Sequence, residues 1–192
     1  MRGLMFLILT FATLTLPAQA QLAEELRLGV VQHNICVIDC DNADKEDGPN
    51  INGEVVFASP GFLSFAFSPR PYVMGSANTA GKTSFGAVGL EWTFEVFDGW
   101  AIEPGIGYAI HDGALGNPFP QGNPSGDAYT QENVLLGSKD LFRSSLSLNK
   151  DFGENWGAQL MYEHLSHGQI LGNGRNQGLD NLGVRIIYKF DK

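Results

Sequence analysis

The chain has 192 residues, a formal net charge of −9, 24 glycines, 13 phenylalanines and two cysteines. The acidic balance argues against a nucleic-acid partner, because nucleic-acid binding selects basic surfaces. The many glycines and aromatic residues favour a protein built from short strands over a helical one. The length suits a single domain.

The N-terminus predicts a secretory signal peptide over residues 1–20. Arg2 supplies a positive charge, an apolar run extends from Leu4 to Leu16, and the A-x-A form of a cleavage site ends at Ala20. The apolar run is shorter than the roughly 20 residues that a membrane-spanning helix requires. The exported domain, residues 21–192, is then expected in the periplasm, outside the cell, or in the outer membrane as a β-barrel.

Cys36 and Cys40 are a candidate disulfide. An exported chain meets the oxidising conditions in which such a bridge forms, and free thiols are the alternative. A metal site is disfavoured, because two cysteines without a nearby pair of histidines make a poor ligand set. We therefore expect neither a metal nor another cofactor.

Period-two alternation of apolar and other side chains predicts eight strands. Asp98-Gly99 is a two-residue turn of the kind that joins the strands of a hairpin. Pro60, Pro69 and Pro71 interrupt the second and third runs, because proline cannot donate to a strand ladder. The eight runs are approximately 24–33, 51–58, 62–77, 84–95, 100–111, 139–150, 155–166 and 181–190.

The polar faces of these runs indicate a barrel. They mix small residues with isolated charges, which suits a narrow lumen of paired polar groups with lipid outside. Short connections alternate with long ones, as in barrels with tight periplasmic turns and long outer loops. We predict an all-β fold, an eight-stranded antiparallel transmembrane β-barrel; a soluble barrel with a polar exterior is the alternative. The isolated charges are Glu91, Glu103, Arg143, Glu163 and Arg185.

A base, a nucleophile and an acid follow one another near the C-terminus. His164 and Ser166 are two residues apart in a predicted strand, so their side chains project from one face. An imidazole beside a hydroxyl can generate a serine nucleophile, and Asp180 could hold the imidazole in one tautomer. With an even number of strands, this pair lies at the rim formed by the long loops and faces outward.

Two segments in this region resemble the PagL-type lipid A 3-O-deacylases, which are outer-membrane acyloxyacyl hydrolases. They are Y-E-H-L-S at 162–166 and N-Q-G-L-D at 176–180, followed by a closing aromatic strand. F-A-S-P, P-R-P, S-A-N-T-A-G-K-T-S and A-I-H-D-G are also similar to segments of the family's bacterial members. The resemblance covers nearly the whole exported domain.

The resemblance implies an eight-stranded barrel whose His/Ser/acid triad removes the ester-linked 3-position acyl chain of lipid A without a metal. It makes His164 the base and Ser166 the nucleophile, and it assigns Asn176 to the oxyanion hole. Asp180 stands where the family usually has glutamate, and His167 stands where it has asparagine. Backbone N–H groups at the bend through His167 and Gly168 are further candidates for positioning the oxyanion and substrate.

The implied partners are lipid A, or lipopolysaccharide, and the lipids of the outer membrane, and two copies of the chain could pair as a homodimer. Two other functions compete with lipid A deacylation. One is a small structural or binding barrel without chemistry, and the other is an outer-membrane esterase that prefers phospholipids. A His-x-Ser pair with a downstream acid favours an esterase, because a structural barrel has no need of it.

Overall fold

The computed structural model of the chain describes residues 22–38, 40–43 and 45–190. The predicted signal peptide, residues 1–20, lies outside them. One α-helix, α1 (Pro124–Glu132), and two 3-10 helices, Cys40–Asn42 and Gly61–Ala66, accompany nine strands in this part of the chain. No helix of the described residues is long and apolar enough to cross a bilayer. The strands are β1 (Ala23–Gln32), β2 (Asn50–Phe57), β3 (Arg70–Asn78), β4 (Phe85–Glu91), β5 (Phe94–Phe97), β6 (Trp100–His111), β7 (Asp140–Asp151), β8 (Trp156–Ser166) and β9 (Leu179–Lys189).

The strands close into an antiparallel barrel. Their order is β4-β3-β2-β1-β9-β8-β7-β6-β5, and an additional β4–β6 pairing joins the two ends of the sheet. Because β4 and β5 both pair with β6, they form one stave, and the barrel has eight staves. The predicted fold class is therefore confirmed. The predicted turn at Asp98-Gly99 is also present, since Phe97 pairs with Trp100 across it.

The predicted fourth run, 84–95, is interrupted between β4 and β5. Glu91 pairs with Gly105 and Phe94 pairs with Ile102, so the register is the same on both sides of the gap. Opposite the gap, Pro104 accepts a hydrogen bond from the Trp92 N–H at 2.9 Å but has no N–H to return. Because this donor is missing, the strand is interrupted here, but its pairing register with β6 does not change.

The predicted third run, 62–77, is wrong in its first half. Residues Gly61–Ala66 form a 3-10 helix, and β3 begins only at Arg70. Phe67 and Ser68 both have positive φ, 62° and 52°, which is incompatible with a strand. The apolar residues of this segment resemble a strand in composition, but the backbone turns back before Pro69.

Charged and polar side chains fill the lumen, as the alternation predicts. All five isolated charges identified in the sequence are buried, with exposures of 0–5%. The lumen is also narrow. A Cβ on Gly89 or Gly107 would overlap the hydroxyl of Tyr72, whose ring crosses between these strands. Small residues on the inner face therefore make room for the few large side chains.

Arg27 is the centre of the buried ion pairs. Its guanidinium is fully buried and lies within 3.0 Å of carboxylate oxygens of four glutamates. These glutamates come from three staves besides its own, so the cluster ties distant strands together. Arg70 shares three of the same partners. The four partners of Arg27 are Glu25, Glu54, Glu91 and Glu103.

A second polar cluster, of three residues, lies higher in the lumen, next to the rim of long loops. Arg143 Nε donates to Glu163 Oε2 at 2.6 Å, and Asn181 Nδ2 donates to Glu163 Oε1 at 3.1 Å. Glu163 and Asn181 are also backbone partners between β8 and β9. This pair fixes two adjacent strands at the level where His164 and Asp180 occur.

Glu46 joins three of the loops above the barrel. Its carboxylate binds His33 Nε2 at 3.0 Å, the Thr83 N–H at 3.1 Å and the Val134 N–H at 3.0 Å. Burial on its own raises the pKa of Glu46, but the hydrogen bonds from His33, Val134 and Thr83 outweigh it, and the pKa lies below the ordinary value. The ionised carboxylate therefore stabilises the folded loops at neutral pH, and this contribution is lost as the pH falls through the lowered pKa.

We predict that Arg27→Ala lowers the free energy of unfolding by about 3–5 kcal/mol, because it removes the fully buried cation that four glutamates share and leaves their charges only partly compensated by Arg70 and Arg185. Lys189→Ala is the control: its ion pair with Asp151 is about one-third exposed, and such pairs contribute about 1 kcal/mol or less. Urea unfolding in lipid vesicles, followed by tryptophan fluorescence, measures both. Equal losses for the two variants would contradict a dominant lumen cluster.

Candidate active site

His164 and Ser166 lie on the outer wall of the barrel, at the end of β8 nearest the long loops. Leu160, on the same face, is 48% exposed, whereas Glu163 and Leu165 are buried in the lumen. His164 and Ser166 are half-buried. The sequence prediction of their direction is thus confirmed by the strand pattern. The pair sits on the outward face of β8.

Asp180 meets His164 directly across the sheet. The two residues are Cα partners in the β8–β9 ladder, and His164 Nδ1 lies 2.7 Å from Asp180 Oδ1. The predicted last strand began at residue 181, but β9 starts at Leu179, so Asp180 is a strand residue and not a loop residue. Directly opposed residues have Cβ atoms about 5 Å apart. An aspartate therefore spans the gap, and no movement of the loop is required.

Two further donors hold the Asp180 carboxylate. Tyr162 Oη donates to Oδ1 at 2.7 Å, and the Ile38 N–H donates to Oδ2 at 2.6 Å. Period-two spacing could have identified Tyr162, which is two residues before His164 on the same face. Ile38 could not have been found from the sequence, because its contact is a backbone group separated from Asp180 by 142 residues.

The contact with Asp180 Oδ1 favours one tautomer of His164. Since an ionised carboxylate only accepts hydrogen bonds, a bond between the two requires the proton on Nδ1, and a neutral ring then has its lone pair on Nε2. Within the described residues no hydrogen bond joins the His164 ring to Ser166 Oγ. Hydrogen bonds of this kind often form only when substrate is bound. Both side chains leave the same face of β8, so the Ser166 hydroxyl group and the His164 ring lie on the same side of the sheet.

His167 is turned away from the candidate nucleophile. Its residue is fully buried; Nε2 binds the Arg175 carbonyl at 3.1 Å, and Nδ1 accepts the Gln169 N–H at 3.2 Å. Its own N–H, predicted to be a candidate oxyanion donor, is instead donated to Asn176 Oδ1 at 3.1 Å. The His167 N–H is therefore already bonded, and the role of His167 in positioning the substrate stays a prediction. The residue follows Ser166 by one position, so its side chain points to the opposite face, where it orders the loop.

Asn176 and Gly168 remain as candidate oxyanion donors. The bond from the His167 N–H identifies the anchored side-chain atom of Asn176 as the oxygen, so the Nδ2 group is the one left to donate. Gly168 has φ +60° and is exposed. Among the described residues neither Asn176 Nδ2 nor the Gly168 N–H has a hydrogen-bond partner. Both donors flank the end of β8 at Ser166.

An apolar surface extends from Ser166 down the barrel wall. Phe142 is the backbone partner of Ser166 on β7, and its ring lies next to Gly168. Side chains below it on β7, β8 and β9 continue this surface. The exposed members are Phe142 (41%), Leu146 (53%), Leu160 (48%), Leu182 (40%) and Val184 (62%). A hydrocarbon chain could lie against this surface with a carbonyl at the level of Ser166.

Cys36 and Cys40 are joined by a disulfide in the loop after β1. Ile38 lies between them, so the bridge closes the segment that reaches Asp180.

A separate polar cavity of about 740 Å³ opens at the opposite end of the barrel, between the short turns. Its lining includes Glu25, Asp98 and Lys150, and it shares no residue with the His164 cluster.

We predict that His167→Ala loosens the loop that carries Asn176, because it removes both ring contacts with the loop backbone. Trypsin cleavage after the exposed Arg175 should become about fivefold faster or more, as expected when two hydrogen bonds are lost. Gln169→Ala is the matched control, since its side-chain bond to the Gly174 carbonyl is exposed. Mass spectrometry of the fragments measures both rates, and unchanged cleavage in His167→Ala would contradict this role.

No curated protein matches the chain significantly. The crystal structure of the outer membrane enzyme PagL matches with a TM-score of 0.57 and 12% identity, covering 88% of this chain and 99% of that one. The backbone structure of the Yersinia pestis outer membrane protein Ail in a phospholipid bilayer nanodisc gives a TM-score of 0.47 and 11% identity, covering 88% and 100%. A model of the family described as lipid A 3-O-deacylase (PagL) matches residues 62–189, and the chain therefore belongs to this family.

Proposed function

We propose that the chain is an outer-membrane serine esterase that hydrolyses the ester-linked 3-position acyl chain of lipid A. The observation that carries the proposal is the His164–Asp180 hydrogen bond on the outer wall, with Ser166 two residues along the same face. Family membership supports lipid A deacylation as the activity. The predicted signal peptide and the barrel fold are consistent with delivery to the outer membrane.

In the proposed mechanism, Ser166 Oγ attacks the ester carbonyl carbon while His164 Nε2 takes the hydroxyl proton. Asp180 holds the imidazole through Nδ1 and stabilises the imidazolium that forms. His164 then gives the proton to the departing sugar oxygen, which leaves an acyl group on Ser166. Water, activated by the same imidazole, attacks this acyl-enzyme and releases the fatty acid.

The negative charge on the tetrahedral oxygen needs donors that are in place before the reaction. Asn176 Nδ2 and the Gly168 N–H are the groups we assign to this task. His167 contributes indirectly, because its N–H holds the Asn176 amide by its oxygen. One such donor is worth roughly 3–4 kcal/mol of transition-state stabilisation.

The position of the site selects the substrate. The exposed apolar side chains below Ser166 offer lipid acyl chains a place to lie, while the loops above face water. An ester at the boundary between acyl chains and headgroups therefore comes level with Ser166, and a soluble ester does not. Lipid A fits this geometry because its 3-linked acyl chain begins at that boundary.

We predict that Ser166→Ala lowers the rate of deacylation of purified lipid A by about a thousandfold or more, because no other group supplies the nucleophile. His164→Asn should cause a loss of similar size. Mass spectrometry of the lipid A product measures the rate, and heat-modifiable gel mobility checks that the barrel is intact. Persistent loss of the 3-linked chain with Ser166→Ala would remove the serine from the mechanism.

The same assay separates the competing functions. Cells with and without the chain are compared by mass spectrometry of both lipid A and phospholipids. The proposal expects only lipid A to lose an acyl chain. Lysophospholipid accumulation with unchanged lipid A would favour the phospholipid esterase, and unchanged lipids of both kinds would favour a structural barrel.

We predict that Asp180→Glu, which introduces the residue usual in the family, slows turnover by about tenfold or more. The Asp180 carboxylate is only 1% exposed and is already in contact with three donors. One additional methylene displaces it from His164, its directly opposed neighbour. Asp180→Asn is the reference for complete loss of the acid, and a rate for Asp180→Glu equal to that of the unmodified chain would show that the spacing is unimportant.

A further inference from the structure

The loop after β1 covers the acid of the candidate triad. Residues on the outward face of β9 are well exposed, with Leu182 at 40%, Val184 at 62% and Ile186 at 53%. Asp180 belongs to the same row but is only 1% exposed. The difference is due to the chain beyond β1, which continues past the end of its ladder and lies across Asp180.

Three backbone donors hold this loop on the strand. The Ile35 N–H binds the Asp180 carbonyl at 2.8 Å, and the Ile38 N–H binds the Asp180 carboxylate at 2.6 Å. The Asn34 N–H binds Asn181 Oδ1 at 3.1 Å. Asn34 has φ +50°, a conformation that asparagine tolerates better than most residues, and the chain turns there toward β9.

The contact has little apolar packing to support it. Val37 is 53% exposed and Ile38 is 65% exposed, so more than half of each residue is uncovered. A short segment held mainly by hydrogen bonds to its backbone opens readily. The disulfide between Cys36 and Cys40 encloses Ile38 and removes much of the conformational freedom that would compete with the Asp180 contact.

We propose that the disulfide between Cys36 and Cys40 is the clamp that positions Asp180 for catalysis, acting through the Ile38 N–H. The inference rests on the proposed function and adds a positioning device to the same site. With the loop closed, the carboxylate keeps one oxygen on the Ile38 N–H and turns the other toward His164 Nδ1. With the loop open, water reaches the carboxylate and competes with the imidazole for it.

Cys36→Ser/Cys40→Ser opens the clamp without altering any group of the triad. We expect kcat for lipid A to fall by about tenfold or more, the effect of losing one charge-assisted hydrogen bond in a shielded site. KM should change little, since the apolar wall on β7–β9 is untouched. Heat-modifiable gel mobility verifies that the barrel remains folded.

Combining Cys36→Ser/Cys40→Ser with Asp180→Asn tests whether the disulfide acts through the Asp180 carboxylate. If the disulfide acts through the carboxylate, opening it there changes kcat by less than about twofold, because coupled sites are not additive. An equal loss in both backgrounds overturns the proposal and leaves the disulfide a purely stabilising role. An unchanged kcat in the background that retains Asp180 overturns it as well.

Ile38→Pro removes the Ile38 N–H, which donates to the Asp180 carboxylate, while leaving both cysteines in place. Val37→Pro, which puts the same ring one residue earlier, is the matched control, because the Val37 N–H makes no hydrogen bond within the described residues. We expect kcat to fall about tenfold for Ile38→Pro only. Equal effects of the two prolines would overturn the role of the Ile38 N–H.

A spectroscopic test needs no turnover and so distinguishes this inference from the proposed function. The Nδ1 proton of His164 gives a downfield NMR resonance only while Asp180 holds it away from water. We expect the resonance in the disulfide-bonded chain, and its loss in both Asp180→Asn and Cys36→Ser/Cys40→Ser. A resonance that survives opening of the disulfide overturns the clamp whatever the substrate is. Failure of lipid A deacylation with the resonance behaving as expected would refute only the function.

Discussion

The closed strand ladder is the constraint on which the rest of this structure depends. Once eight staves are joined edge to edge, every second side chain must enter a narrow lumen and every other one must face outward. Charges in the lumen have to be paired, which explains why Arg27 lies among four glutamates. Side chains on the outer face do not need to pair charges. This face therefore carries apolar side chains along most of its height and the candidate triad at one rim.

The lumen and the site are linked through adjacent residues of β8 and β9. Glu163 and Asn181 bind each other inside the barrel, while their neighbours His164 and Asp180 bind each other outside. Asn181 also accepts the Asn34 N–H from the loop that covers the acid. A buried polar pair in the interior thus supports the register of the candidate catalytic pair on the wall. A functional site requires precise placement of this kind.

The role of His167, the residue directly after Ser166, does not follow from its place in the family pattern. The residue lies where the related family has an asparagine, and this position suggested a group in contact with substrate. Alternation instead sends the His167 ring to the buried face, where both nitrogens bind loop backbone. Its contribution to the site is the ordered loop from which Asn176 extends.

Much of the architecture followed from the sequence alone, because side-chain alternation along a strand is a local property. The eight staves, the lumen charges, the hairpin turn at Asp98-Gly99 and the common face of His164 and Ser166 were all predictable in this way. The first half of the third run was not, since two residues with positive φ turn an apolar segment into a 3-10 helix. Only the tertiary structure could place Asp180 opposite His164 and bring Ile38 onto its carboxylate, because cross-strand register and loop packing depend on contacts between residues far apart in the chain.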